Sequence, residues 1–212
     1  MQNIFKIVAL SLFLLINCNV SAAQLNEKNY TSERESKGVV LVGVNWGRQW
    51  NCGKYENAQL RKLVFSLLDS SGTVSNDSIV SLESPDMLNV KAKFLDYGFL
   101  VEPGLYAFSE FSVKVAKSVN DVGYIKADST KLVNGEKVGG KFEVKAGEIA
   151  YIGHFFLDCL GDPIPWRYYP EGKEAFEGYS KSVKKQFSYF KDAKIQFRIL
   201  DTEMFGSQYT LK

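Results

Sequence analysis

Lys141-Phe142-Glu143-Val144-Lys145-Ala146-Gly147-Glu148-Ile149-Ala150-Tyr151-Ile152-Gly153-His154-Phe155-Phe156-Leu157-Asp158-Cys159 is the stretch whose reading decides the fold. Phe142 and Val144 alternate with charged residues, the mark of a half-buried strand. Ala146-Gly147-Glu148 supplies turn chemistry. Ile149 to Leu157 is rich in β-branched and aromatic residues, and its nearly continuous apolar character fits a central strand. The stretch therefore reads as a β-hairpin at the centre of an all-β domain.

Working backwards, Gly38 to Asn45 is a second nearly continuous apolar run and a first strand; its Gly43 marks a bulge or the close approach of another segment. Gln59 to Leu68 fits a helical stripe through Leu60, Leu63, Val64, Leu67 and Leu68. A strand is preferred there because its neighbours all read as β. Short strands follow at Ile79–Leu82 and Asn89–Leu95. Pro103-Gly104 is a type II turn signal leading into a long strand from Leu105 to Lys117. Gly123–Ala127 is another strand, and Asn134-Gly135 a favoured hairpin turn.

Beyond Cys159 the pattern changes. Pro163, Pro165 and Pro170 with Trp166, Arg167, Tyr168 and Tyr169 predict an irregular aromatic loop. Phe176, Tyr179, Val183, Phe187 and Phe190 recur at spacings of three and four, so residues 172–190 are expected to form one amphipathic helix. Residues 194–200 alternate as a last strand.

The fold class expected is mainly β: a β-sandwich with one C-terminal amphipathic helix. A single domain spans residues 38–212, preceded by a signal peptide over 1–23 and a flexible leader over 24–37. The chain has 212 residues, a net charge of +2 and 14% aromatic residues. That charge balance argues against nucleic acid as a partner, because such proteins concentrate basic residues on one face.

Lys6, the apolar run Ile7–Ile16 and the small-residue exit Ser21-Ala22-Ala23 have the form of a secretory signal. The run is too short for a comfortable membrane span, so no span is expected in the mature chain. The expected location is the periplasm or the outer membrane, or outside the cell. Leu15-Ile16-Asn17-Cys18 is a weak lipobox, with Asn17 where a small residue is the rule. Without Cys18 the mature chain keeps Cys52 and Cys159, an even pair that suggests a disulfide in an exported protein.

Glu102-Pro103-Gly104-Leu105-Tyr106, together with Phe142-x-Val144-x-Ala146-Gly147-Glu148-x-x-Tyr151-Ile152-Gly153, resembles the DUF2846-like group of small bacterial exported β-sandwich proteins and lipoproteins of unknown function. The resemblance covers about Gly38 to Leu157. It implies an immunoglobulin- or transthyretin-like sandwich in a bacterial envelope and carries over no catalytic residue.

Trp46, Arg48 and Trp50 cluster beside Cys52. The cluster is read either as a loop folded over the end of the sandwich or as a recognition surface, since Trp and Arg dominate binding hot spots. A disulfide would bring it towards Trp166, Arg167, Tyr168 and Tyr169, and the seven residues form the candidate binding surface. His154 is the single histidine, and its sequence neighbours Asp158 and Cys159 are its candidate partners. The sequence has no HExxH, CxxC or phosphate-cradling loop and no Gly-x-Ser-x-Gly elbow. Neither a catalytic residue, nor a metal ligand set, nor a cofactor is assigned.

The leading functional expectation is a non-catalytic envelope module that binds an envelope or extracellular protein. The alternatives are a carrier or sensor for a lipid or glycan, and an enzyme using His154. If the signal is processed as read, N-terminal sequencing of the exported chain should begin at Ala23 or Gln24. An intact Met1 in the envelope fraction would contradict it, and a blocked, lipid-modified Cys18 would establish the lipobox instead.

Overall fold

The computed structural model describes residues 22–85, 92–133 and 139–212. The expected signal segment with Cys18, the start of the expected 89–95 strand and the Asn134-Gly135 turn lie outside the described residues. The strands are β1 Ala23–Gln24, β2 Gly38–Asn45, β3 Gln49–Cys52, β4 Tyr55–Leu68, β5 Val74–Glu83 and β6 Phe94–Val101. They continue with β7 Gly104–Ser118, β8 Asp121–Ala127, β9 Lys141–Val144, β10 Ile149–Asp158, β11 Ile164–Tyr168 and β12 Ile195–Phe197. The helices are α1 Glu27–Glu33, α2 Ser129–Leu132 and α3 Lys173–Gln186, with a 3-10 turn at Ser188–Phe190.

Two sheets result. One is ordered β3-β4-β7-β8, with β5 added to β4 and β9 to β7; the other is ordered β1-β6-β2-β10-β11, with β12 added to β10. The protein is thus mainly β, a two-sheet sandwich with a C-terminal helix. β10 pairs in parallel with both β2 and β12, and antiparallel with β11.

The inner faces meet in the main core. Val40, Val42, Val44 and Trp46 on one side face Leu60, Leu63, Phe65, Tyr106 and Phe108 on the other. Phe65 sits at its centre, with ring centroids 5.2 Å from Phe108, 5.7 Å from Phe142 and 5.5 Å from Phe155. A second core lies on the outer face of the β10 sheet, where Val39, Leu41, Leu100, Ile149 and Tyr151 pack under Phe176, Val183, Phe187 and Phe190. Burying Phe176 and Val183 stabilises the docked helix by roughly 1.5–3 kcal/mol each.

Several expectations need correction. The decisive stretch is not a hairpin: β9 pairs with β7 in one sheet and β10 belongs to the other. The turn crosses between sheets, with Gly147 at φ 73° and its N–H donating to the Lys37 carbonyl at 2.9 Å. Residues 24–37 are not a loose leader. Asn26 caps α1 in a reciprocal pair with Asn29, and Leu25 and Tyr30 are buried against the second core, which offsets the entropy of ordering the segment.

The Pro-rich stretch contains strand β11, and β11 is an edge strand, where a proline lacking its N–H is tolerated. The Trp46–Gly53 segment likewise holds strand β3 rather than a loop alone. The last strand is short, Ile195–Phe197, and the helix ends at Gln186 before the 3-10 turn. The Gln59–Leu68 ambiguity resolves as strand. A register shift between Leu60 and Lys62 puts Leu60 and Leu63 on one face, so a spacing of three arises from a bulge rather than a helical turn.

A second bulge lies in β10. The register with β2 shifts between Tyr151 and His154, and Gly153 sits there at φ 119°. Ala150 and Ile152 face the main core, whereas after the bulge Phe155 and Leu157 do. The bulge therefore moves His154 to the outer face beside Tyr151. A Cβ on Gly153 would approach Arg167 Cγ to 2.7 Å. The substitution Gly153→Ala should destabilise the protein by about 2 kcal/mol or more, from positive-φ strain and this contact. Urea unfolding with an unchanged m-value checks it, and an unshifted midpoint would contradict the bulge's role.

Candidate functional site

The Cys52–Cys159 bridge is present, with Cα atoms 4.6 Å apart and 107 residues of sequence separation. It joins the β3–β4 turn to the end of β10. Gly53 N–H donates to the Cys159 carbonyl at 3.1 Å, and Lys54 pairs with Asp162 at 2.9 Å. A Cβ on Gly53 would overlap the Gly161 carbonyl oxygen, at 2.0 Å. The two turns are therefore held against each other by a covalent bond, a hydrogen bond and a glycine that permits the approach.

The seven residues expected to form one binding surface separate into two groups. Trp46 is completely buried; its Nε1–H donates to the Tyr97 hydroxyl at 2.8 Å, and its carbonyl accepts from Gln59 Nε2 at 2.8 Å. Arg167 is 1% exposed. Neither belongs to a surface: strand alternation turns Trp46 inward with Val44, and points Arg167 inward while Trp166 and Tyr168 point outward. Tyr169 is half-buried, stacked on Tyr209 at 4.3 Å. Trp50 remains 55% exposed, with the Arg48 guanidinium 5.5 Å from its ring centroid. Leu160, beside the disulfide, is 97% exposed.

Arg167 is a buried cation satisfied by main chain. Its guanidinium donates to the Leu200 and Ser207 carbonyls, its backbone N–H donates to the Phe205 carbonyl at 2.6 Å, and its Nε has no partner among the described residues. Among the described residues it makes no ion pair. Burial pushes its pKa down, opposed by the charges of Tyr169, Asp201 and Tyr151. Removing the side chain would strand the buried Leu200 carbonyl and the part-buried Ser207 carbonyl, so Arg167 pins the terminal segment to the sheet.

His154 is the hub of a polar group that sequence order did not reveal. In the registers of β10 with β11 and β2, and of β2 with β6, Tyr168, His154, Gly43 and Asp96 form one row across four strands. Gly43 has no side chain, and a Cβ there would lie 2.0 Å from His154 Cδ2. The imidazole thus lies over the β2 backbone, and its Nε2 comes within 3.6 Å of Asp96 Oδ1. Asp96, not Asp158 or Cys159, is the carboxylate partner. The same oxygen accepts from the Tyr179 hydroxyl of α3 at 3.1 Å. On the other ring nitrogen, Nδ1 is hydrogen-bonded to the Tyr151 hydroxyl.

The carboxylate beside Nε2 favours the proton there, leaving Nδ1 to accept from Tyr151. Burial pushes the Tyr151 and Tyr179 phenols far up, and the nearby Asp96 charge adds to both, so both remain donors. Phe94 at 4.8 Å and Tyr179 at 5.0 Å pack edge-on against the imidazole. The side chains of His154 and Asp96 are only 13% and 20% exposed. Both ring nitrogens face protein side chains, Nδ1 in a hydrogen bond and Nε2 at ion-pair distance, and the Tyr179–Asp96 bond ties α3 to the sheet.

No family model, curated protein or solved structure matches this chain. Among the described residues no group of three or more His, Cys, Asp or Glu could hold a metal, and no helix is long and apolar enough to cross a membrane.

The buried phenols set an alkaline limit. Burial pushes Tyr106 up to about 12; its hydroxyl lies 2.8 Å from both Ser78 Oγ and the Glu102 carbonyl oxygen. A phenol raised in the folded state from an unfolded value of about 10 gives stability that is whole below pH 10 and lost as pH climbs through the folded value. Stability should fall by about 2 kcal/mol between pH 10 and 12 from Tyr106 alone. Absorbance titration at high pH should show Tyr151 and Tyr179 ionising only with unfolding, and Tyr106 ionising well above pH 10. Ionisation of all tyrosines near pH 10 in the folded protein would contradict this.

Proposed function

We propose that the protein is a non-catalytic module of the bacterial envelope that binds a protein partner through its disulfide-tied end. The observation that carries this reading is the exposure of Trp50, 55%, on β3 and of Leu160, 97%, just after β10, on the two segments joined by Cys52–Cys159. Large apolar side chains left in water gain free energy only when something covers them. Here they stand on a pre-organised support, with Lys54 paired to Asp162 and Arg48 placed over the Trp50 ring. Pre-organisation lowers the ordering cost of association, and Trp with Arg is the composition of binding hot spots. The disulfide is consistent with an oxidising compartment.

The test is affinity capture of the mature chain from its own envelope fraction, followed by purified binding measurements with the protein recovered. Trp50→Ala should weaken that complex by about 2 kcal/mol or more, roughly thirty-fold, without lowering the melting temperature, because the ring is exposed. Equal affinity of the folded Trp50→Ala and Leu160→Ser variants would overturn the assignment of this surface.

A further inference from the structure

A groove runs between α3, the edge strand β12 and the terminal segment, on the opposite side of β10 from β2. Its volume is about 830 Å³, inside the roughly 300–1,000 Å³ range of small-ligand sites. The floor is apolar. Phe176 and Phe197 meet edge-on at 5.0 Å, Tyr209 lies 5.9 Å from Phe197, and Ile195 and Leu211 extend the lining. Among the described residues β12 pairs with β10 alone, so its outer edge borders the groove.

The rim is cationic. Lys184 and Lys194 stand at one end and Lys173 at the other, where the Tyr209 hydroxyl accepts from the Gly172 N–H at 2.7 Å. Among the described residues Lys184 donates a long 3.4 Å bond to the Lys191 carbonyl, and neither it nor Lys173 nor Lys194 forms an ion pair. Arg198 is already committed to Glu148 at 2.7 Å, and Glu177 is the acidic side chain of the lining. The whole chain carries 26 basic and 24 acidic residues. The excess at this rim is therefore a local concentration and not a reflection of composition.

An apolar trough with lysines at its mouth is complementary to a molecule that is a hydrocarbon chain along most of its length and an anion at one end. We propose that the groove binds a single-chain fatty acid. The carboxylate lies between Lys184 and Lys194, and the chain follows Ile195, Phe197 and Phe176 towards Leu211. The ammonium groups act as point charges on the head, and the chain supplies affinity by leaving water. This goes beyond the protein-binding reading and does not depend on the disulfide-tied end.

Isothermal titration of the full mature chain with dodecanoate, with dodecanol as the uncharged control, tests it. The expected result is saturable one-to-one binding of dodecanoate, at least about ten-fold tighter than dodecanol. The double variant Lys184→Glu/Lys194→Glu, at one half-buried and one exposed lysine and compared at an unchanged melting temperature, should weaken dodecanoate about ten-fold or more and leave dodecanol nearly unaffected. Three outcomes would overturn the proposal: no saturable dodecanoate binding, equal affinity for acid and alcohol, or charge reversal without effect. Saturable binding of an extended acidic peptide in place of the fatty acid would also overturn it, and would assign the open edge of β12 to strand addition.

Discussion

The bulge at Gly153 is the constraint on which both faces of the central strand depend. A strand alternates sides with period two, so one extra residue exchanges every later side chain between faces. Before the bulge Ala150 and Ile152 enter the inter-sheet core, and after it Phe155 and Leu157 do. Without it Phe155 would leave the Phe65–Phe108 cluster and the imidazole of His154 would enter it. The missing Cβ at Gly153 also lets the Arg167 side chain pass alongside β10. Arg167 in turn binds the Leu200 and Ser207 carbonyls. One residue thus links the sandwich core, the polar hub under α3 and the path of the terminal segment.

The elements that could be read from sequence were those whose local pattern agrees with their final surroundings. The strands around Gly38, Leu105 and Ile149, and the α3 stripe through Phe176 and Val183, are of this kind. Patterns failed where pairing is non-local. Phe142 and Val144 look the same whether β9 pairs with β10 or with β7, because both arrangements bury one face. The spacing of Leu60 and Leu63 imitates a helix because a bulge adds Arg61 between them. Pro165 reads as a strand breaker until β11 is seen to lie at an edge. The segment after Gln24 is polar by composition, yet Leu25 and Tyr30 give it enough burial to order.

The site was legible in part. The Cys52–Cys159 pairing follows from cysteine count and the expected export, and the structure contains it. Trp46 and Arg167 were indistinguishable from their exposed neighbours because composition does not report facing. A buried arginine satisfied by main-chain carbonyls carries no sequence signature, since its partners are backbone atoms. The Asp96–His154 pairing was equally hidden: the two residues are far apart in the chain and meet only because β2 lies between their strands with a glycine in that row. Gly43 did carry a signal, as a position where another segment comes close; the segment is the imidazole of His154.

The structure has two separable surfaces, a rigid disulfide-tied end with exposed Trp50 and a lysine-rimmed groove beside α3. The order in which β10 presents its side chains fixes the inter-sheet core and the polar hub beneath α3. The most direct measurement of that order is the set of through-space proton contacts of His154, the single histidine, and of Phe155 in solution NMR. The bulged strand requires His154 ring contacts to Tyr179 and Phe94, and Phe155 contacts to Phe65 and Phe108. Contacts from His154 to Phe65 and Phe108 would mean that β10 alternates without interruption, and would contradict it.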